Sequence, residues 1–130
     1  MTSTPSPLAR FTRHKTILLT TYKRDGTPVG TAVSIAFDGD RPVFRTYSAA
    51  WKVKRLRNNP DVEIAPCTAR GKPTGAPEQA RAILLGGAEA AAAAKALARK
   101  YPVLHGFLVP FLHRRKHWQT LHYVLTARGE

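Results

Sequence analysis

Two Asp-Gly pairs, Asp25-Gly26 and Asp38-Gly39, cut the first half of the sequence into short runs that must fold back on one another. Glycine accepts the positive φ that tight hairpin turns demand, and Asp ties such turns through its side chain. Ahead of the first pair lies Lys15 to Tyr22 (KTILLTTY), rich in β-branched and aromatic residues. Between the pairs lies Pro28 to Phe37 (PVGTAVSIAF), and after the second lies Arg41 to Tyr47 (RPVFRTY). Three antiparallel strands in succession make a meander, the start of a sandwich or barrel. Alternation in the middle run places Val29, Thr31, Val33 and Ile35 on one face and Gly30, Ala32, Ser34 and Ala36 on the other. The second face is small. It lets a flat group approach the backbone or lets another layer pack closely.

The remaining segments complete that architecture. Ser48 is a good N-cap for a short basic helix that Pro60 ends by forbidding αR at Asn59. Helical spacing groups Ser48, Lys52 and Arg55 on one face and Ala49, Val53 and Leu56 on the other. A helix start suits a phosphate or carboxylate. Asp61 to Thr68 is a fourth strand whose Pro66 suggests an edge or a bulge. A loop over 70–75 precedes a fifth strand, Glu78 to Leu85, and Gly86-Gly87 leads into an alanine-rich helix, Ala88 to Lys100. Glu89 early and Arg99 and Lys100 late match the helix dipole. Val103 to Phe111 is apolar enough for a buried helical piece or loop, and His117 to Thr126 alternates as a closing strand. The expectation is a mainly β, α+β fold: a six-stranded, partly open antiparallel barrel with helices outside.

At 130 residues the chain is read as one domain over 1–130, with residues 1–10 a frayed leader and Pro7 to His14 able to carry the chain in as a helical turn. No apolar run reaches the length of a membrane span, and the lone Cys67 fits a cytosolic protein. The net charge of +13 attracts anions, whether nucleic acid, acidic lipid or a polyanionic small molecule. Its dispersal along the chain lacks the aromatic-interleaved pattern of a standard nucleic-acid module, so nucleic acid is the weaker expectation.

Other chemistry is poorly supplied. His113 and His117 are spaced as helical metal ligands, but Arg114, Arg115 and Lys116 between them repel a cation, so no metal is expected. Cys67 lies in a strand without a partner motif and reads as an inert thiol. Asp38 and Asp40 are explained by turn chemistry. Eight acidic residues and the lack of a nucleophile elbow or a phosphate-cradling glycine loop leave a hydrolase or NTPase little to stand on.

What remains is the anion site at Thr46 to Arg55, directly after a strand and beside the small-residue strand. The hairpin Thr20 to Val29 (TTYKRDGTPV), Arg45-Thr46, Lys52 to Val62 (KVKRLRNNPDV), and Ala65-Pro66-Cys67 with Arg70-Gly71 together resemble the pyridoxamine 5′-phosphate oxidase-like split-barrel proteins. The match covers roughly Lys15 to Leu85. The run K-V-K-R-L-R-x-N-P-x-V-x-I-A-P-C is most similar to the actinobacterial branch that uses coenzyme F420, a deazaflavin.

The resemblance implies a split-barrel homodimer with cofactor in clefts between subunits, and oxidoreductase activity on a small molecule. By position, Gly30, Thr31, Ala32, Val33, Ser34 and Ile35 would lie along the tricyclic ring and ribityl chain. Arg45, Thr46, Trp51 and Lys52 would meet the phosphate region, with Lys52 matching the family's phosphate-binding lysine. Arg55 and Lys54 would reach toward a glutamate tail. Trp51 stands where relatives usually carry Gly or Arg, so its indole either stacks on the cofactor or crowds it. FMN on the same barrel is the alternative cofactor, and a non-catalytic cofactor-binding protein the alternative function. Hydride chemistry belongs to such a cofactor, which fits a chain with no triad of its own.

Overall fold

A computed structural model describes residues 7–11, 14–48, 50–101 and 120–127. Its strands are β1 (Thr16–Tyr22), β2 (Pro28–Ser34), β3 (Ala36–Asp38), β4 (Arg41–Tyr47), β5 (Asp61–Pro66), β6 (Glu78–Leu84) and β7 (Thr120–Ala127). Two helices, α1 (Trp51–Asn58) and α2 (Gly87–Lys100), and a 3₁₀ turn at Pro7–Phe11 complete the order. The strands form one antiparallel sheet in the order β2-β1-β5-β6-β7-β4-β3.

The two ends of that order, β2 and β3, are consecutive in the chain and separated only by Ile35. The sheet therefore curls until its edges are joined through one residue. Up to Ser34 the strand pairs with β1 (Thr16↔Ser34), and from Ala36 it pairs with β4 (Ala36↔Val43). Ile35 is fully buried at the switch and its N–H donates to the Lys15 carbonyl at 3.3 Å. The expected single strand Pro28 to Phe37 is thus two, and six strands become seven. Beyond the switch, β2 and β4 lie against each other without sharing a ladder, which leaves the barrel split along that seam.

Inward-facing residues fill the barrel: Ile17 and Leu19 from β1, Val33 and Ile35, Phe44 from β4, Val62 and Ile64 from β5, and Tyr123 and Leu125 from β7. The Phe44 and Tyr123 rings stack at 5.2 Å with planes 8° apart. Leu8 and Phe11 of the 3₁₀ turn are buried in the same core. This turn, within the stretch expected as a leader, is therefore packed; residues 1–6 lie outside the described residues.

Outside the barrel, Ala93, Ala96 and Leu97 of α2 close on Ala36, Val43 and Val124. At Ala36, then, the small strand face admits a helix. Pro66 does not mark an edge strand, since β5 lies between β1 and β6. It sits past the last residue of the β6 ladder, at Ile64, so its missing N–H costs nothing on that side. Cys67 bridges to Pro73 and its thiol is pushed up by burial. Among the described residues no helix is long and apolar enough to cross a membrane. The expected segment Val103 to Phe111, the His113 to His117 cluster and the first residues of the expected closing strand lie outside the described residues.

The end of α2 holds the strand switch. The Tyr101 hydroxyl shares its proton between the Lys15 carbonyl at 2.5 Å and the Ile35 carbonyl at 2.7 Å, while Lys100 Nζ donates to the His14 carbonyl at 2.6 Å. Burial pushes the Tyr101 phenol up to about 12, against the opposing effect of its bond to Ile35. A folded-state value above the unfolded one near 10 means this contribution is complete below pH ~10 and is lost as pH rises through about 12. Tyr101→Phe should cost about 1–2 kcal/mol in urea unfolding at neutral pH, by orphaning a buried carbonyl. It should also flatten the alkaline limb of the stability profile; an unchanged limb would assign that limb to another group.

Candidate functional site

Helix α1 crosses one end of the barrel. Its buried Val53 and Leu56 fix it there, and Leu56 joins the barrel core. That docking sets where the helix starts. The cap is Ala50, in an extended conformation with no side-chain cap bond, and the first helical residue is Trp51. Ser48 is not the N-cap the sequence suggested: it lies in the turn after β4 and lines a cavity on the other flank of α1 from Lys52 and Arg55.

The flank that carries Trp51 and Arg55 faces the β1–β2 hairpin. Between them runs a cleft of about 650 Å³ lined by Lys23 and Arg24 from the hairpin, Val29 from β2, and Trp51, Lys54, Arg55 and Asn58 from α1. Four cations line it and no carboxylate does. The hairpin is held by Gly26 at φ 89°, and Thr27 N–H donates to Asp25 Oδ1 at 2.9 Å; the Thr27 hydroxyl first and this N–H second lower the Asp25 pKa. Trp51 stands at the rim, 71% exposed, with Lys54 Nζ 4.5 Å from its ring centroid.

Deeper in, Arg55 Nε donates to Thr21 Oγ1 at 2.6 Å. Thr21 is fully buried, and its hydroxyl reaches the Val29 carbonyl at 3.5 Å. Lys52, one turn before Arg55, is held below the usual lysine range first by burial and then by the Arg55 charge. Its ammonium has no carboxylate or hydrogen-bond partner among the described residues. Thr31 Oγ1 is buried and also lacks a partner. Thr31 shares the β2 face of Val29, which lines the cleft, and Val33, which enters the core. A half-buried cation and a buried hydroxyl without internal partners are costly unless something meets them.

The structure separates other residues that the sequence grouped. Arg45 and Thr46 are neighbours on β4 and point to opposite faces. Thr46 is buried on the inner side, beside the end that α1 closes. Arg45 faces outward, where its Nε donates to His122 Nε2 at 3.1 Å across the β4–β7 ladder. That bond fixes His122 as the tautomer protonated on Nδ1, and burial lowers the Arg45 pKa. Val33 and Ile35 are buried in the core, so their side chains do not line an open surface. Gly30 and Ala32 are exposed on the outer face of β2, and Ser34 is half-buried there. A Cβ at Gly30 would meet Leu18 Cδ1 at 3.0 Å, so Leu18 already leans over that position. Close packing therefore accounts for Gly30, and Ala32 and Ser34 remain the small residues open to a flat group.

Of the expected site residues, Trp51 and Arg55 line the cleft, Lys52 lies between them on α1, and Arg45 faces outward on β4. Sequence reasoning missed Thr21, Lys23, Arg24 and Asn58. Lys23 and Arg24 were readable as part of the hairpin, but nothing local in the sequence says that the hairpin tip faces α1. Among the described residues no group of His, Cys, Asp and Glu is placed to hold a metal ion.

The family model described as pyridoxamine 5′-phosphate oxidase matches residues 6–107. No curated protein sequence matches the chain. Among solved structures, the heme storage protein HutZ of Vibrio cholerae is similar with a TM-score of 0.70 at 13% identity, over 91% of this chain and 84% of that one. A conserved hypothetical protein from Mycobacterium tuberculosis gives 0.64 at 18% identity, over 98% and 82%. A NimC/NimA family protein from Clostridium acetobutylicum gives 0.52 at 15%, over 95% and 85%. At these identities the likeness is one of fold.

Proposed function

Starting from a chain that belongs to the pyridoxamine 5′-phosphate oxidase family, we propose that it is a split-barrel oxidoreductase of the flavin type. Its preferred cofactor is coenzyme F420 in reduced form, with FMN the alternative, and its substrate a small unsaturated or oxidised organic molecule. The observation that carries this reading is a cleft lined only by cations and neutral groups, with the half-buried Lys52, which has no partner among the described residues, next to the lining Trp51 on α1. Such a site fits the phosphate end of a flavin-like group, with Lys52 as the point charge, Arg55 as the fork, and the partnerless Thr31 hydroxyl as a neutral donor. β2 is an edge strand, so a ligand can lie along its outer face at Ala32 and Ser34.

The chemistry supplied by a bound cofactor of this kind is hydride transfer; the protein's part is positioning and shielding. Lys52 and Arg55 neutralise the anionic end, Lys23, Arg24 and Lys54 extend the cationic field outward, and Trp51 offers an aromatic wall at the rim. A second copy of the chain completes the cleft in the homodimer that we propose as the working form.

Titrating the purified protein with coenzyme F420 and with FMN tests the reading. Saturable binding of the deazaflavin, followed by its reoxidation by at least one acceptor in a screen, is the expected result. Binding of FMN alone would replace the cofactor assignment, and binding of neither would overturn the proposal. A cofactor-binding protein without turnover is the second reading, prompted by the likeness in fold to a heme storage protein. Among the described histidines, His122 already engages Nε2 with Arg45, which does not favour it as an iron ligand. A Soret band on hemin titration, with no flavin or deazaflavin binding, would select that second reading.

A further inference from the structure

We infer that the outer half of the cleft between α1 and the β1–β2 hairpin selects the substrate, and that this substrate is a planar aromatic acid. The inference deepens the oxidoreductase reading above and rests on it. In that reading Lys52 and Arg55 meet the anionic end of the cofactor. Lys23 and Arg24 on the hairpin and Lys54 on α1 are then left over, all exposed and all lining the same cleft. None of them forms an ion pair among the described residues. The carboxylate beside them in the chain, Asp25, accepts from the Thr27 N–H at 2.9 Å and does not line the cleft. Cations gathered from two separate stretches of sequence repel one another until an anion joins them.

Trp51 decides what kind of anion that is. Among the described residues it is the most exposed of the large apolar side chains, at 71%. Helix geometry puts it there. Val53 and Leu56 take the buried face of α1, and Trp51, Lys54, Arg55 and Asn58 fall at the i, i+3, i+4 and i+7 positions of the cleft face. Lys54 Nζ stands over the indole, 4.5 Å from its centroid, so aromatic surface and positive charge are offered together. A flat conjugated ring stacked on Trp51 brings its carboxylate among Lys23, Arg24 and Lys54. An aliphatic acid would leave the indole in water, and a neutral aromatic would leave the cations unmatched. A second copy of this chain set cleft to cleft would only add like charges. Val29 of β2 also lines the cleft, so the guest lies beside the strand along which the cofactor ring is proposed to run.

Cinnamate is the probe, with crotonate as the acid without a ring and cinnamyl alcohol as the ring without a charge. Each is titrated by calorimetry or NMR into the full chain, first alone and then saturated with whichever of coenzyme F420 and FMN it binds. Cinnamate should saturate in both states and bind more tightly than either counterpart. Trp51→Ala should weaken it by about threefold to tenfold, the scale of an aromatic pair, while Trp51→Phe keeps most of the affinity. Lys54→Gln should weaken it by about twofold to fivefold and reduce its dependence on salt. The two readings fail separately. A chain that takes cinnamate but neither cofactor would overturn the oxidoreductase and with it the substrate role; a chain that takes a cofactor but no cinnamate would overturn the substrate class alone. Crotonate or cinnamyl alcohol binding as tightly as cinnamate, or Trp51→Ala binding as tightly as the parent chain, would overturn it too. So would a Trp51→Ala variant that loses self-association in sedimentation yet keeps its cinnamate affinity, because the indole would then serve a contact between copies.

Discussion

Replacing Lys52 by methionine will weaken binding of the deazaflavin or FMN by about 10- to 100-fold, the scale of a lost charge-assisted contact to a phosphate. The same change will leave ligand-free stability unchanged or raise it. Methionine keeps most of the length and removes a half-buried ammonium with no partner among the described residues, one that burial and Arg55 already hold below its ordinary pKa of 10.5. The depressed pKa adds a pH signature. A base with a lowered folded-state value costs stability at low pH, and that cost disappears as pH rises from the depressed value toward 10.5. Ligand affinity should run the other way, falling over the same window as the ammonium loses its proton. A variant that binds as tightly as the parent chain would remove Lys52 from the site.

Phe44→Ala will produce the largest stability loss of any single change considered, about 3–5 kcal/mol in urea unfolding at constant m-value. Phe44 is fully buried at the centre of the barrel and stacked on Tyr123. Truncating it removes its own buried area, opens a cavity and frees the Tyr123 ring at once. Domains of this size hold only about 5–15 kcal/mol in total, so the variant should be partly unfolded at physiological temperature. Phe44→Leu should recover more than half of the loss. A cost below about 1 kcal/mol for the alanine variant would mean that β4 does not present Phe44 to the core.

Where turn chemistry or alternation acts alone, the chain was legible. Gly26 and Gly39 sit at φ 89° and 65° where the Asp-Gly pairs place the turns, and β1, β4 and β6 fall within a residue of the runs that suggested them. The switch at Ile35 was not legible, because an unbroken alternation of side chains says nothing about which strand lies alongside. The start of α1 was misjudged for a related reason. Ser48 is the better cap by propensity, but the burial of Val53 and Leu56 outweighs a cap worth about 1 kcal/mol. The site divided in the same way. Lys52 and Arg55 were readable from helical spacing, whereas the opposite facing of Arg45 and Thr46 followed from strand geometry once β4 was placed. The Arg45–His122 bond spans 77 positions of sequence, and no local pattern encodes it.

The place of β7 in the sheet has a consequence for how the chain is made. β7 pairs with β4 on one side and β6 on the other, yet among the described strands it is the last to leave the ribosome. Until residues 120–127 emerge, β4 and β6 each carry an open edge of unpaired N–H and C=O groups, the kind of surface that recruits strands from other molecules. Closure also has to wait for contacts between residues far apart in the chain, which makes it slow relative to local hairpin formation. Nascent chains stalled just before Thr120 should therefore be the species most prone to aggregate and most dependent on chaperones. Synthetic supply of the β7 segment in trans should rescue them.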